Sequence, residues 1–280
     1  MSKYYYLIAG LPELALEDNK LNYTVATFRD ELYPELSKRD KKLIDLIYLK
    51  FDNYNLLSLL QDKNVELTNT GLYSKNELLA LIETVKFGEE KAKGYTPYLI
   101  TFTENYFAEK YDKSSILENI LTGLYYEYAL SCKNQFVKSW FEYNLIINNL
   151  FIAISGRKHH FKYQEHIIGE DKISNQIRQS NARDFGLSTE LEYINPIMRL
   201  ADDDNLVQRE KRLDQMRWKW MEEATFFNYF TIERIFVFLL QIEMIERWLM
   251  LDKEEGDKYF REIINSLKNE VQIPAEFRQK

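Results

Sequence analysis

His159, His160 and His166 stand beside Glu165 in the segment GRKHHFKYQEH, the one grouping with the side chains for a metal-dependent hydrolase. A bound zinc needs three or four such ligands converging from a rigid frame. Arg157, Lys158 and Lys162 crowd the same segment with positive charge, which opposes a cation. The chain has no His-Glu-x-x-His, no Glu-x-x-His pair of the di-iron type and no cysteine pair. The segment therefore reads as a basic helix end at the carbonyl pole of its dipole, and no metal or other cofactor is expected. The one cysteine, Cys132, cannot form an internal disulfide and suits a reducing cytoplasm. A lone thiol on a helix is packing rather than a nucleophile. AISGRKHH contains Gly-Arg-Lys but lacks the remaining glycine and hydroxyl residues of a phosphate loop. DKEEGD, Asp252 to Asp257, lacks the third ligand of a calcium loop and carries Gly256 one position early. A catalytic residue is not among the expectations, and neither is an enzyme.

Charge and hydropathy narrow the classes further. With 37 basic and 44 acidic residues in 280, the net charge of −7 argues against sequence-independent binding to nucleic acid. Trp218 and Trp220 in MRWKWMEE could stack bases. Alternate positions on a helix do not share a face, so one is expected in the core and one partly exposed at a protein interface. The amino terminus lacks the long apolar region of a secretory signal. The most apolar window, Ile232 to Met250, has the length of a membrane span but contains Glu233, Arg234, Glu243, Glu246 and Arg247. Each central charge costs about 2.5–3.5 kcal/mol to insert, and each apolar residue returns only about 0.3–0.6 kcal/mol. The window is a core helix.

The elements that must position these residues are helical. Glycine and proline number 9 and 5, and the stretches between them are rich in helix formers. Helix starts are expected at Ser37 with Asp40, Ser74 with Glu77, Ser115 with Glu118 and Thr189 with Glu192, each a hydroxyl followed three positions later by an acid. Thr96 before Pro97 marks another. Gly256 is placed to close one helix before a last one carrying Phe260, Ile263, Ile264 and Leu267. KYYYLIA near the start could form a short strand, too isolated to build a sheet. The expected fold is all-α, a large helical bundle in a single domain. The polar segment from Asn175 to Asn205 could mark a linker, with Asp202, Asp203 and Asp204 a solvated loop leading into a helix.

Charge inside the apolar window asks for an account. Glu243 and Arg247 are four apart, acid first, and can pair along one face; Glu246 can seek Arg234 or Lys253. Such a cluster fixes register between packed helices without calling for catalysis, although a wet helix face accounts for each charge as well. A recurrence also shows. FDNYNLLSLLQDK around Asn55, YNLIINNLFIAISGRK around Asn149 and QIEMIERWLMLDK around Glu246 each set a polar residue before an apolar run and a basic residue, at spacings of 94 (149 − 55) and 97 (246 − 149). Duplication into three units, about 1–100, 101–190 and 191–280, and chance similarity of apolar helices both account for it.

VFLLQIEMIERWLMLDKEEGDKYFREIINSL resembles the last two helices of the C-type central-stalk subunit of prokaryotic V/A-type ATPases, the d-type in eukaryotes, with Glu243, Glu246, Arg247, Lys253 and Gly256 at comparable places. EYNLIINNLFIAISGRK, Glu142 to Lys158, resembles the middle repeat of that family. Glu246 and Trp248 stand where the family carries Asn and a basic residue. Over nearly its full length, from YYYLIAGLP through FFNYFTIERIF to ERWLMLD, the chain resembles an uncharacterised bacterial family associated with V-type ATPase operons. The resemblance implies a funnel of three helical pseudo-repeats that couples the rotor shaft to the membrane rotor ring. It implies a cytoplasmic place, peripheral at the inner membrane and held there by protein partners, with Arg157, Lys158, Trp218 and Trp220 as candidate contacts. A helical adaptor unrelated to ATPases is the alternative, and a hydrolase using His159, His160 and His166 the remoter one.

Overall fold

The computed structural model describes residues 4–88, 92–112 and 116–270, with side chains described through residue 252. Among the described residues eleven α-helices form and no strand. They are α1 (Tyr5–Ala9), α2 (Val25–Thr27), α3 (Lys38–Gln61), α4 (Lys75–Phe87), α5 (Pro97–Phe107), α6 (Leu117–Leu130), α7 (Gln135–His159), α8 (Lys172–Gln179), α9 (Ile194–Ala201), α10 (Leu206–Ala224) and α11 (Ile232–Glu270). Two compact units result, one from Leu36–Phe227 and one from Met1–Glu35 with Asn228–Lys280. No helix among the described residues is long and apolar enough to cross a membrane.

Local chemistry sets most of the starts. Ser37 accepts from the Asp40 amide and opens α3. Ser74 and Glu77 form the full reciprocal capping box of α4. Pro97 takes the first position of α5, where its missing amide costs nothing, and the Thr96 hydroxyl pairs with the Tyr73 phenol instead of capping. Three expectations are corrected. Thr189 and Glu192 lie in turns, and α9 begins only at Ile194, because the segment's bonds go to successive tight turns such as Glu190 N–H to Leu187 O. Tyr5–Ala9 is helical rather than a strand, since no second strand offers a ladder and Ile8 N–H closes onto Tyr4 O. Gly256 does not end a helix: α11 runs through it to Glu270, an interior glycine costing only about 1 kcal/mol amid strong helix formers. Ser115 lies outside the described residues, and Ile116 stands before α6.

Asn175 to Asn205 is no linker, for it lies inside the Leu36–Phe227 unit. The Arg157 guanidinium donates to the carbonyls of Ser180, Ala182 and Arg183 and stacks 3.8 Å from the Phe185 ring, so the segment is tied to α7. Phe185 is fully buried there at φ 57°, and packing holds a conformation its side chain disfavours.

A register emerges from the helix order. The long helices α3, α7 and α11 begin at residues 38, 135 and 232, a spacing of 97 each time (135 − 38 and 232 − 135). The short helices behind the first two repeat it, α4 to α8 (172 − 75) and α5 to α9 (194 − 97).

Candidate interaction site: polar clasps and an aromatic stack

In this register Asp52, Asn149 and Glu246 are equivalent, each 14 positions past the start of its long helix (52 − 38, 149 − 135 and 246 − 232). All three side chains accept backbone N–H groups from a segment that enters a helix. The Asp52 carboxylate, fully buried, takes Leu72 N–H at 2.9 Å and Tyr73 N–H at 3.1 Å, directly before the Ser74 cap. Gly71 makes room, since a Cβ there would meet Asp52 Oδ1 at 2.3 Å. Asn149, also fully buried, accepts from Ile168 N–H at 3.0 Å and donates to Ile168 O at 2.7 Å, so one side-chain amide pairs with one residue's backbone in both directions. It also donates to the Ser174 hydroxyl, which bonds the Asp171 cap of α8. Glu246 accepts from Val25 N–H at 2.8 Å, at the first residue of α2 behind the Thr24 cap. Asn55 is one turn beyond Asp52 and repeats the two-way pairing on Thr68, accepting at 3.2 Å and donating at 3.0 Å. Each clasp satisfies peptide groups that a loop would otherwise bury unpaired.

Within the cluster of Glu243, Glu246 and Arg247, Glu246 departs from the expected pairing. Glu246 satisfies a peptide N–H rather than Arg234, which lies twelve positions (246 − 234) back on the same helix. The Lys253 side chain lies outside the described residues. Arg247 is exposed, its guanidinium 5.7 Å from the Trp248 ring, and Glu243 is half-buried. The charges sit on a wet edge of the helix, while Ile242 and Ile245 fill the core.

An aromatic stack joins α10 to α7. Trp220, half-buried, lies flat on Tyr143 at 5.1 Å with 10° between planes, with Trp140 and Phe136 at 5.7 and 5.6 Å. Burial pushes the Tyr143 phenol up to about 12 against the pull of Arg217. Tyr193, edge-on to Tyr143 at 5.0 Å, is raised by burial as well. Arg217 links the helices, donating to Asn144 on α7 at 3.0 Å and pairing with the buried Asp214 at 3.3 Å. Trp218 is buried and donates to Glu222, so of the two tryptophans it is the core one. It offers no contact surface, and Arg157 is spent on carbonyls; of the expected contacts only Lys158, paired with Asp204 at 2.7 Å, is exposed.

His159 and His160 are exposed at the end of α7, and His166 sits in the following turn 3.4 Å from Asn119. Among the described residues no three His, Cys, Asp or Glu side chains are grouped to hold a metal. Burial pushes the Cys132 thiol up, away from the reactive thiolate. The clasps were hidden in the sequence because Asp, Asn and Glu differ in type; counting from the starts of the three long helices aligns them.

The chain belongs to the family described as "Protein of unknown function (DUF2764)", which matches residues 1–271. No curated protein and no solved structure matches it.

Proposed function

We propose that this DUF2764 member is a non-catalytic coupling subunit of a V/A-type rotary ATPase, linking the rotor shaft to the membrane ring from the cytoplasmic side. The observation that carries the reading is the register of 97, with an equivalent polar clasp on each long helix. A chain of three related helical units is what the resemblance of Glu142–Lys158 and Leu239–Leu267 implies. The clasps suit torque transfer, since they fix loop to helix through directional hydrogen bonds that rigidify the junction. The partners are shaft subunits and the membrane ring, engaged through side chains such as the exposed Lys158 and the half-buried Trp220.

Affinity purification of the tagged chain from native membranes tests this, with the expected result that shaft and ring subunits co-purify. Deletion should uncouple or disassemble the ATPase while isolated catalytic heads still turn over ATP. Deletion membranes that pump ions at the normal rate exclude the role.

A further inference from the structure

Four positions past its clasp residue each long helix carries an apolar side chain: Leu56 after Asp52, Ala153 after Asn149 and Met250 after Glu246. Residues four apart share a helix face, so these three are equivalent as the clasps are. Leu56 and Ala153 are fully buried, whereas Met250 is 65% exposed. The next residue repeats the contrast. Leu57 and Ile154 are half-buried, and Leu251 is 44% exposed.

The chain that follows α3 and α7 closes the first two faces. α3 ends at Gln61, and the chain turns back through Thr68, held by Asn55, and through Leu72 and Tyr73, held by Asp52, to lay α4 against α3. α7 ends at His159, and the chain turns back through Ile168, held by Asn149, to lay α8 against α7. Both covering helices are apolar on the side they bury, α4 through Leu78, Leu81 and Ile82 and α8 through Ile177. α11 does not turn. It continues to Glu270, 24 positions past Glu246 (270 − 246), so the stretch equivalent to the turn is itself helical.

We propose that Met250 and Leu251 receive an amphipathic helix of another protein, laid along α11 as α4 lies along α3 and α8 along α7. Such a helix docks by setting its apolar stripe on an exposed apolar face, and methionine, unbranched and polarizable, adapts to it. A second copy of this chain has no such helix to lend, because α4 to α10 already bury their apolar faces. The inference is independent of the coupling role, since it rests on the helix register and requires no rotor subunit.

The test titrates a fluorescein-labelled peptide of residues 68–88, which carries the turn and α4, with the purified full chain and reads fluorescence polarization. Saturable binding is expected. Met250→Glu with Leu251→Glu should weaken it at least about tenfold, since two charges replace two apolar contacts. Both side chains are exposed, so the Tm of this variant should hold. A peptide with Leu78→Asp and Leu81→Asp has lost its apolar stripe and should not bind. No saturable binding, or binding undiminished by the Met250 and Leu251 changes, overturns the proposal. So does a wild-type dimer in sedimentation velocity that the same two changes convert to monomer, since it assigns the face to a second copy.

Discussion

Asn149 and Glu246 hold equivalent places on α7 and α11, yet they close different kinds of loop. Asn149 reaches Ile168, 19 positions on, with a short, fully buried side chain that pairs both ways. Glu246 reaches Val25 across 221 positions with a longer, half-buried side chain that only accepts. The first clasp is local and can form with its own helix. The second needs both ends of the chain and the loss of more chain entropy, a cost that grows only logarithmically with loop length. The same unit also holds Tyr4 N–H against Phe230 O at 2.8 Å and Tyr23 edge-on to Phe238 at 5.3 Å. Two loops are thus clasped from the helix before them, and the third helix clasps the amino-terminal segment instead.

Removing the buried clasp should have the largest effect. Asn149→Ala leaves the N–H and C=O of half-buried Ile168 without their partner and empties a fully buried side-chain site, and at about 1–3 kcal/mol per group the Leu36–Phe227 unit should lose about 2–5 kcal/mol. Urea unfolding followed by Trp fluorescence measures it, and a loss below about 1 kcal/mol would break the distinction between the clasps.

Gly71→Ala comes next. The added Cβ falls on the Asp52 carboxylate, so the α3 clasp must shift, at a cost of about 1–3 kcal/mol. Asp52→Ala should make the glycine change nearly silent, and a double-mutant cycle on thermal unfolding reads that coupling.

Alkali should strain the α7–α10 contact. The Tyr143 phenol is raised from its ordinary value near 10 to about 12, so the native state holds a proton the unfolded chain releases first. The stability this contributes is complete below pH 10 and is lost as pH rises toward 12. Unfolding followed at rising pH should show Tyr143→Phe less sensitive across that window than the wild type.

Much of this was legible from local chemistry. Ser37, Ser74 and Pro97 announced three helices because a cap needs only residues within one turn of itself. The strand at Tyr5 and the helix start at Thr189 misled because their outcome is set by tertiary partners and turn bonds that no short window contains. The recurrence was visible at Glu246 and Asn149, but similarity of side chain paired Asn149 with Asn55, where helix register pairs it with Asp52. A clasp is defined by where its acceptor points, and Asp, Asn and Glu all supply one.

Glu246→Ala should cost less than Asn149→Ala, about 1–2 kcal/mol, since it abandons one N–H of half-buried Val25 rather than an N–H and a C=O together. Hydrogen exchange should place the loss at Val25 and its neighbours in α2. Equal losses for the two variants would show that side-chain burial does not separate the clasps.

Arg247→Ala is the smallest and the sharpest. Had Arg247 neutralised a buried Glu246, its removal would cost about 3–5 kcal/mol by stranding a charge. Glu246 instead accepts a peptide N–H, and Arg247 is exposed beside Trp248. The change should therefore stay within about 0.5 kcal/mol, the range of an ordinary surface substitution. Thermal unfolding of Arg247→Ala beside Glu246→Ala decides between the two geometries. If the arginine change matches or exceeds the glutamate change, α11 is held by an ion pair; if it is silent while the glutamate change is felt, the third helix is held by the same backbone clasp as the other two.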